Sequence, residues 1–94
     1  MTITFTGLIW YWRGPSPYHF VTVPAEQSRE LRAVAGAVTY GWGMIPVVAQ
    51  IGATAWKTSL FPKDGGYLVP IKDLVRAAEH VGVGDTVTLQ VEVR

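Results

Sequence analysis

Residues 45–69 read IPVVAQIGATAWKTSLFPKDGGYLV. Ile45, Val47, Ala49 and Ile51 recur at every second position, the signature of a half-buried strand. Pro46 puts the start of that strand at an edge or outside a ladder, because proline has no N–H to donate. Gly52-Ala53 turns the chain, and Thr54 to Phe61 is the next strand. Pro62-Lys63-Asp64-Gly65-Gly66 is a turn cluster, with glycines able to take positive φ, and Tyr67 to Val69 is a short strand. Strands that follow one another through turns alone are antiparallel, since a parallel pair needs a long crossover.

The flanks extend this pattern. Pro70 opens a helix with Ile71, Leu74, Val75, Ala78 and Val81 as its apolar stripe, and Gly82 is its expected C-cap. Gly84-Asp85 then leads into a last strand, where Val87, Leu89, Val91 and Val93 alternate with Thr88, Gln90 and Glu92. On the other side, Pro24 and Glu26 start a helix whose Leu31, Val34, Ala35 and Val38 follow i, i+3, i+4, i+7 spacing. It is expected to stop near Gly36, with Tyr40-Gly41-Trp42-Gly43 as a flexible junction.

The N-terminal residues 2–12 form a strand in which Thr2, Thr4 and Thr6 alternate with Ile3 and Phe5. After Gly7 every residue from Leu8 to Trp12 is apolar. Either both faces are covered there or Gly7 marks a bulge. Arg13-Gly14-Pro15-Ser16-Pro17 connects to a return strand over 18–23, with Tyr18, Phe20 and Thr22 on one face and His19, Val21 and Val23 on the other. The order is ββαβββαβ. It predicts a mainly β (α+β) fold: a closed or split six-stranded antiparallel β-barrel with two short helices, in one domain over 1–94.

Composition excludes several functions. With 8 Lys+Arg against 7 Asp+Glu the net charge is +1, whereas a dedicated duplex-DNA binder carries a clear basic excess. The chain has no cysteine, which removes disulfides, thiol nucleophiles and Cys-ligated metals. The opening residues Met1 to Gly7 lack a basic segment followed by an apolar one, and no apolar run approaches the ~20 residues of a membrane span. A cytoplasmic location is the expectation, with no membrane partner.

Two stretches carry a resemblance. YHFVTVP (18–24) follows an aromatic strand, and GATAWKTSLFP (52–62) precedes GGYLVPIKDLVRAAEHVGVGDTVTLQVEV (65–93). Trp56 to Pro62, Tyr67 to Lys72 and Gly84-Asp85 are the most specific pieces. The chain resembles, from about Phe5 to Val93, the family catalogued as domain of unknown function 1905. The resemblance implies a small double-split barrel, related in shape to the swapped-hairpin barrels of AbrB-like DNA-binding proteins. It implies no activity and no catalytic residues. At Met44-Ile45-Pro46 the chain departs from relatives that carry a small and a basic residue there, which weakens a nucleic-acid reading.

The remaining candidates are weighed residue by residue. Ser16, Ser28 and Ser59 lack a nucleophile-elbow context, and nothing assembles them with His19 or His80, so no catalytic residue is expected. No cofactor and no metal are expected. Gly65-Gly66 beside Lys63 is a hairpin turn rather than a phosphate loop. Lys72 and Arg76, four apart at a helix start, offer an anion site or a solvated face. Lys57, Thr58 and Ser59 either line a cleft, with Tyr67 nearby in sequence, or face water around a core Trp56. Trp10, Trp12, Arg13 and Trp42 form the candidate aromatic patch, either a stacking platform or ordinary cross-strand packing. The leading expectation is a non-enzymatic module for a small molecule or a protein, as monomer or weak homodimer. A nucleic-acid binder and an enzyme of unknown reaction are the alternatives.

Overall fold

The computed structural model describes residues 1–40 and 42–94, without the side chain of Val38. Gly41 of the expected junction and the Val38 side chain of the expected stripe lie outside the described residues. In chain order the elements are β1 (Thr2–Trp12), β2 (Tyr18–Thr22), α1 (Ala25–Val38), β3 (Ile45–Ile51), β4 (Thr54–Lys63), β5 (Gly66–Pro70), α2 (Asp73–Glu79) and β6 (Thr86–Val93). The strands close into an antiparallel barrel in the order β1-β2-β5-β4-β3-β6.

Closure depends on two long strands that change partners. Thr2 to Leu8 of β1 pair with β6, and Ile9 to Trp12 pair with β2. Thr54 to Leu60 of β4 pair with β3, and Phe61 to Lys63 pair with β5. The pleat of β1 continues through the exchange without a bulge: Ile3, Phe5 and Ile9 are buried, while Thr2, Thr4, Thr6 and Leu8 are exposed. The apolar run after Gly7 arises because the outer face carries rings from Trp10 onward. A Cβ on Gly7 would lie 2.7 Å from Val21 Cγ1, so the missing side chain is what lets β2 come alongside.

The inward residues fill the barrel. Ile45, Val47, Ala49 and Ile51 from β3 meet Val87, Leu89 and Val91 from β6, all buried in one cluster with Val21, Val69 and Ile71. Each fully buried Val, Leu or Ile contributes about 1.5–3 kcal/mol relative to exposure. Leu31 carries α1 into this cluster. Ser28 is buried one turn earlier, its hydroxyl donating to the Val23 carbonyl at 3.3 Å.

Prolines and glycines are where the structure departs from the sequence pattern. β4 runs through Pro62 to Lys63, and only Asp64 and Gly65 form the turn, with φ of 51° and 80°. Two positive φ values make this a two-residue hairpin of the mirror-image type that matches strand twist. Pro62 lies past Ile45–Leu60, the last pair with β3, so its missing N–H costs no ladder bond. Pro46 pairs with Ser59 inside the β3–β4 ladder; on its other side, past Val47–Val93, its carbonyl accepts the Arg94 N–H at 2.9 Å, so its missing N–H falls at the end of β6. Pro70 ends β5 opposite Phe20 instead of opening a helix, and α2 begins at Asp73.

The C-cap of α2 is His80 in the left-handed region at φ 55°, not Gly82, whose N–H is taken by Asp85. The expected stripe breaks up: Val75 is the one buried residue of α2, Leu74 is 82% exposed, and Ile71 is buried from the segment before the helix. Seven residues make only two turns, too few to lay a continuous stripe on the barrel. α1 passes Gly36 and ends at Val38, since one glycine costs only about 1 kcal/mol of helix propensity and does not by itself end a helix.

The partner exchange in β1 makes a checkable demand on Gly7. Gly7→Ala is expected to lower stability in urea unfolding by about 1–3 kcal/mol. Combining it with Val21→Ala should give a loss smaller than the sum, with a coupling of at least about 0.5 kcal/mol. Simple additivity would show that the Gly7–Val21 contact is not the constraint.

Candidate functional site

The two outer walls of the barrel differ in chemistry. Where β1 pairs with β6, the outward residues are Thr2, Thr4, Thr6, Thr86, Thr88, Gln90 and Glu92, with Leu8 the one large apolar side chain among them, and the Thr6 and Thr88 hydroxyls lie 3.3 Å apart. Past the exchange, the second half of β1 with β2, β5 and the end of β4 presents Trp10, Trp12, Tyr18, Phe20, Phe61 and Leu68. Phe20 and Leu68 are only 7% and 6% exposed, yet neither belongs to the core cluster. They are buried on the outside, by neighbouring rings.

Those rings are tilted against one another, as their quadrupoles favour. Centroids are 5.7 Å apart for Trp10–Phe20, 5.8 Å for Tyr18–Phe20, 6.0 Å for Phe20–Phe61 and 6.3 Å for Trp10–Trp12. The Trp10 indole N–H donates to Thr22 Oγ1 at 3.0 Å, fixing that ring. Tyr11, in the inward series, runs off the end of the barrel and is exposed, 4.8 Å from the His19 ring. The hairpin's two tryptophans are therefore the outer set.

Three cavities follow this wall. One, of about 580 Å³, lies between α1 and the Asp64-Gly65 turn and is lined by Trp10, Ser28, Arg29, Arg32 and Lys63, among others. The next, about 330 Å³, is lined by Trp12, Phe20, Phe61 and Pro62. The third, about 360 Å³, adds Tyr18, Thr58 and Pro70. Lys63 and Leu68 border the first two, and Phe20 and Phe61 border the last two, so the cavities form one continuous strip. Lys63 Nζ sits 4.5 Å above the Trp12 ring and 3.8 Å from the Asp64 carboxylate. Arg32 donates from its guanidinium to the Gly65 carbonyl, tying α1 to the hairpin tip.

The residues singled out in the sequence do not converge. Lys57 is exposed on the outer face, and the Ser59 hydroxyl hydrogen-bonds the Tyr40 hydroxyl. Thr58 alone of that trio reaches the strip. Trp56 is in the core, with its indole N–H buried and without an acceptor among the described residues. Tyr67 is a core residue rather than a cleft residue, because the pleat of β5 turns it inward with Val69. Lys72 is exposed before α2, while Arg76 pairs with Asp73, so a carboxylate already stands where an anion would have to bind. Arg13 is exposed at the strand end. Trp42 is 94% exposed and makes no ring contact among the described residues, so the ring cluster is Trp10, Trp12, Tyr18, Phe20 and Phe61 without it. Arg29 and Arg32 escaped notice in the sequence; their only signal is i, i+3 spacing on α1.

Among the described residues no three His, Asp or Glu side chains are grouped as for a metal, and no helix is long and apolar enough to cross a membrane. Fold and wall together define a small antiparallel β-barrel protein with an external aromatic face. The chain belongs to the family described as Domain of unknown function (DUF1905), which it matches over residues 5–91. No curated protein matches it.

Two groups beside this wall titrate away from their ordinary values. Burial raises the Tyr18 hydroxyl, with the Asp73 carboxylate adding to it and the Arg76 guanidinium opposing. Burial lowers His19 from its usual 6.5, with Arg76 adding to it and Asp73 opposing. The unfolded chain thus binds a proton at His19 before the folded chain does, and stability present at neutral pH is lost as pH falls below 6.5 towards the folded value. His19→Gln should remove that component, so thermal melts between neutral pH and about pH 5 should show a shallower decline than the parent. An unchanged slope would show that His19 is not its source.

Proposed function

We propose that this chain is a non-enzymatic binding module that takes a planar aromatic small molecule on the wall of Trp10, Trp12, Phe20 and Phe61. The observation that carries this reading is the contrast between walls. One outer face of the barrel is threonine-rich and polar apart from Leu8, and another holds five clustered rings bordered by a strip of cavities. Core formation does not require those rings, since the inward residues alone fill the barrel. Phe61 is exposed and Trp10, Trp12 and Tyr18 are half-buried; an apolar patch left partly open in this way marks a contact surface, and tilted rings leave edges and faces for a flat guest. Tyr18 and His19 are shifted mainly by burial, as at a packed edge, rather than as an acid and base matched to a reaction.

A second reading, a single-stranded nucleic-acid binder, draws on Arg29, Arg32 and Lys63 beside the rings. The net charge of +1 opposes it. A strongly salt-dependent shift of a single-stranded oligonucleotide would favour it over the small-molecule reading.

The neutral fluorophore N-phenyl-1-naphthylamine tests the wall directly. Its emission is expected to rise with the folded protein, with affinity reduced about tenfold in Trp12→Ala, in line with the loss of one stacking ring. Trp42→Ala, which removes an exposed ring away from the cluster, should leave it unchanged. No binding, or binding indifferent to Trp12, would overturn the proposal.

A further inference from the structure

Resting on the ring wall as the binding face, we infer that its ligand carries an oxyanion, held in the cavity between α1 and the Asp64-Gly65 turn by Lys63, Arg29 and Arg32. Three of the chain's 8 basic residues line this one cavity, in a protein whose net charge is only +1. Grouping like charges costs stability unless an anion balances them. The one carboxylate lining the cavity is that of Asp64, and its side chain is 87% exposed. Its contact with Lys63 at 3.8 Å is a surface pair contributing about 0–1 kcal/mol, which an entering oxyanion readily replaces. Glu26 and Glu30, the acidic residues of α1, do not line the cavity.

The cations differ in what they have to give. Arg29 makes no ion pair among the described residues. Arg32 spends one guanidinium N–H on the Gly65 carbonyl, which orients the group and leaves further donors in a fixed fork. Lys63 is the hinge between charge and ring: it lines both the basic cavity and the aromatic one, with Nζ 4.5 Å over Trp12. A ligand whose flat ring lies against Trp12 and Phe61 would therefore project its charged group past Lys63 towards Arg29 and Arg32. Gly66, the first residue of β5, contributes by its size, since a Cβ there would lie 3.3 Å from Ser28 Oγ and crowd the packing of α1 against the hairpin. The ligand class is a planar aromatic ring bearing a sulfonate, phosphate or carboxylate.

A matched pair of probes separates the two readings. The neutral probe is N-phenyl-1-naphthylamine, and 8-anilinonaphthalene-1-sulfonate is nearly the same molecule with an oxyanion added. The sulfonate is expected to bind at least about tenfold tighter at low salt, the size of one charge-assisted hydrogen bond. That preference should shrink with added salt and approach unity in the Arg29→Gln/Lys63→Met double variant, where methionine keeps the stem over Trp12. Inorganic phosphate should displace the sulfonate and leave the neutral probe bound. Asp64→Asn, which keeps a residue tolerant of φ 51°, should tighten the sulfonate alone, a gain that damage to the fold cannot mimic. Equal affinity for both probes, or a preference that survives Arg29→Gln/Lys63→Met, would overturn the oxyanion site and leave the ring wall standing. Failure of the neutral probe to bind would bring down the ring-wall reading itself.

Discussion

The structure rests on the exchange of partners in the middle of β1 and β4. Six short strands curl closed only if two of them serve both halves of the barrel, and each must then release one neighbour and take up another. In β1 the exchange happens beside Gly7, where Val21 of the new partner occupies the space a side chain would need. In β4 it happens between Leu60 and Phe61. The same exchange divides the outer surface. In β1 the half facing β6 is mostly threonine on its outer side and the half facing β2 carries Trp10 and Trp12; in β4 Phe61 comes only after the change to β5. The candidate binding face is thus a product of closure, placed by the same geometry that encloses the core.

That link explains which parts were legible in sequence. β3 and β6 alternate cleanly because one face meets the core and the other meets water, and their inward residues were readable one by one. The apolar run Leu8 to Trp12 was not, because period-two logic assumes one wet face and here the outer residues Trp10 and Trp12 pack against each other and against Phe20 of β2, while Leu8 is simply exposed. Pro62 and Pro70 misled for a different reason. A proline forbids a ladder bond only on the side its nitrogen faces, and sequence does not say which side has a neighbour. Leu74 suggested a helix stripe that the seven-residue α2 is too short to lay down.

The site was less legible than the fold. The sequence offers Trp10 and Trp12 as rings on one face of a strand, and the structure shows that this face is the outer one. Phe61, Leu68, Arg29 and Arg32 come from three other elements, and no local spacing announces that a helix in the first half of the chain will pack its arginines against a hairpin turn thirty-odd positions later. Lys57 and Tyr67 do not share a site, because the pleat of their strands sends Lys57 to solvent and Tyr67 into the core.

The sparse anchoring of α2 has a consequence for how the molecule comes apart. This helix offers the barrel one buried side chain, Val75, with Val81 packed against the core just past its end and the Glu79 carboxylate accepting from the Thr54 hydroxyl. Two turns are too short to persist alone. Breathing of the native state should therefore begin here, with the amides of α2 exchanging their hydrogens through a local opening while the strand ladders stay closed. Because α2 supplies Asp73 and Arg76 to the surroundings of His19 and Tyr18, that opening would alter the protonation of one end of the aromatic wall without disturbing its rings.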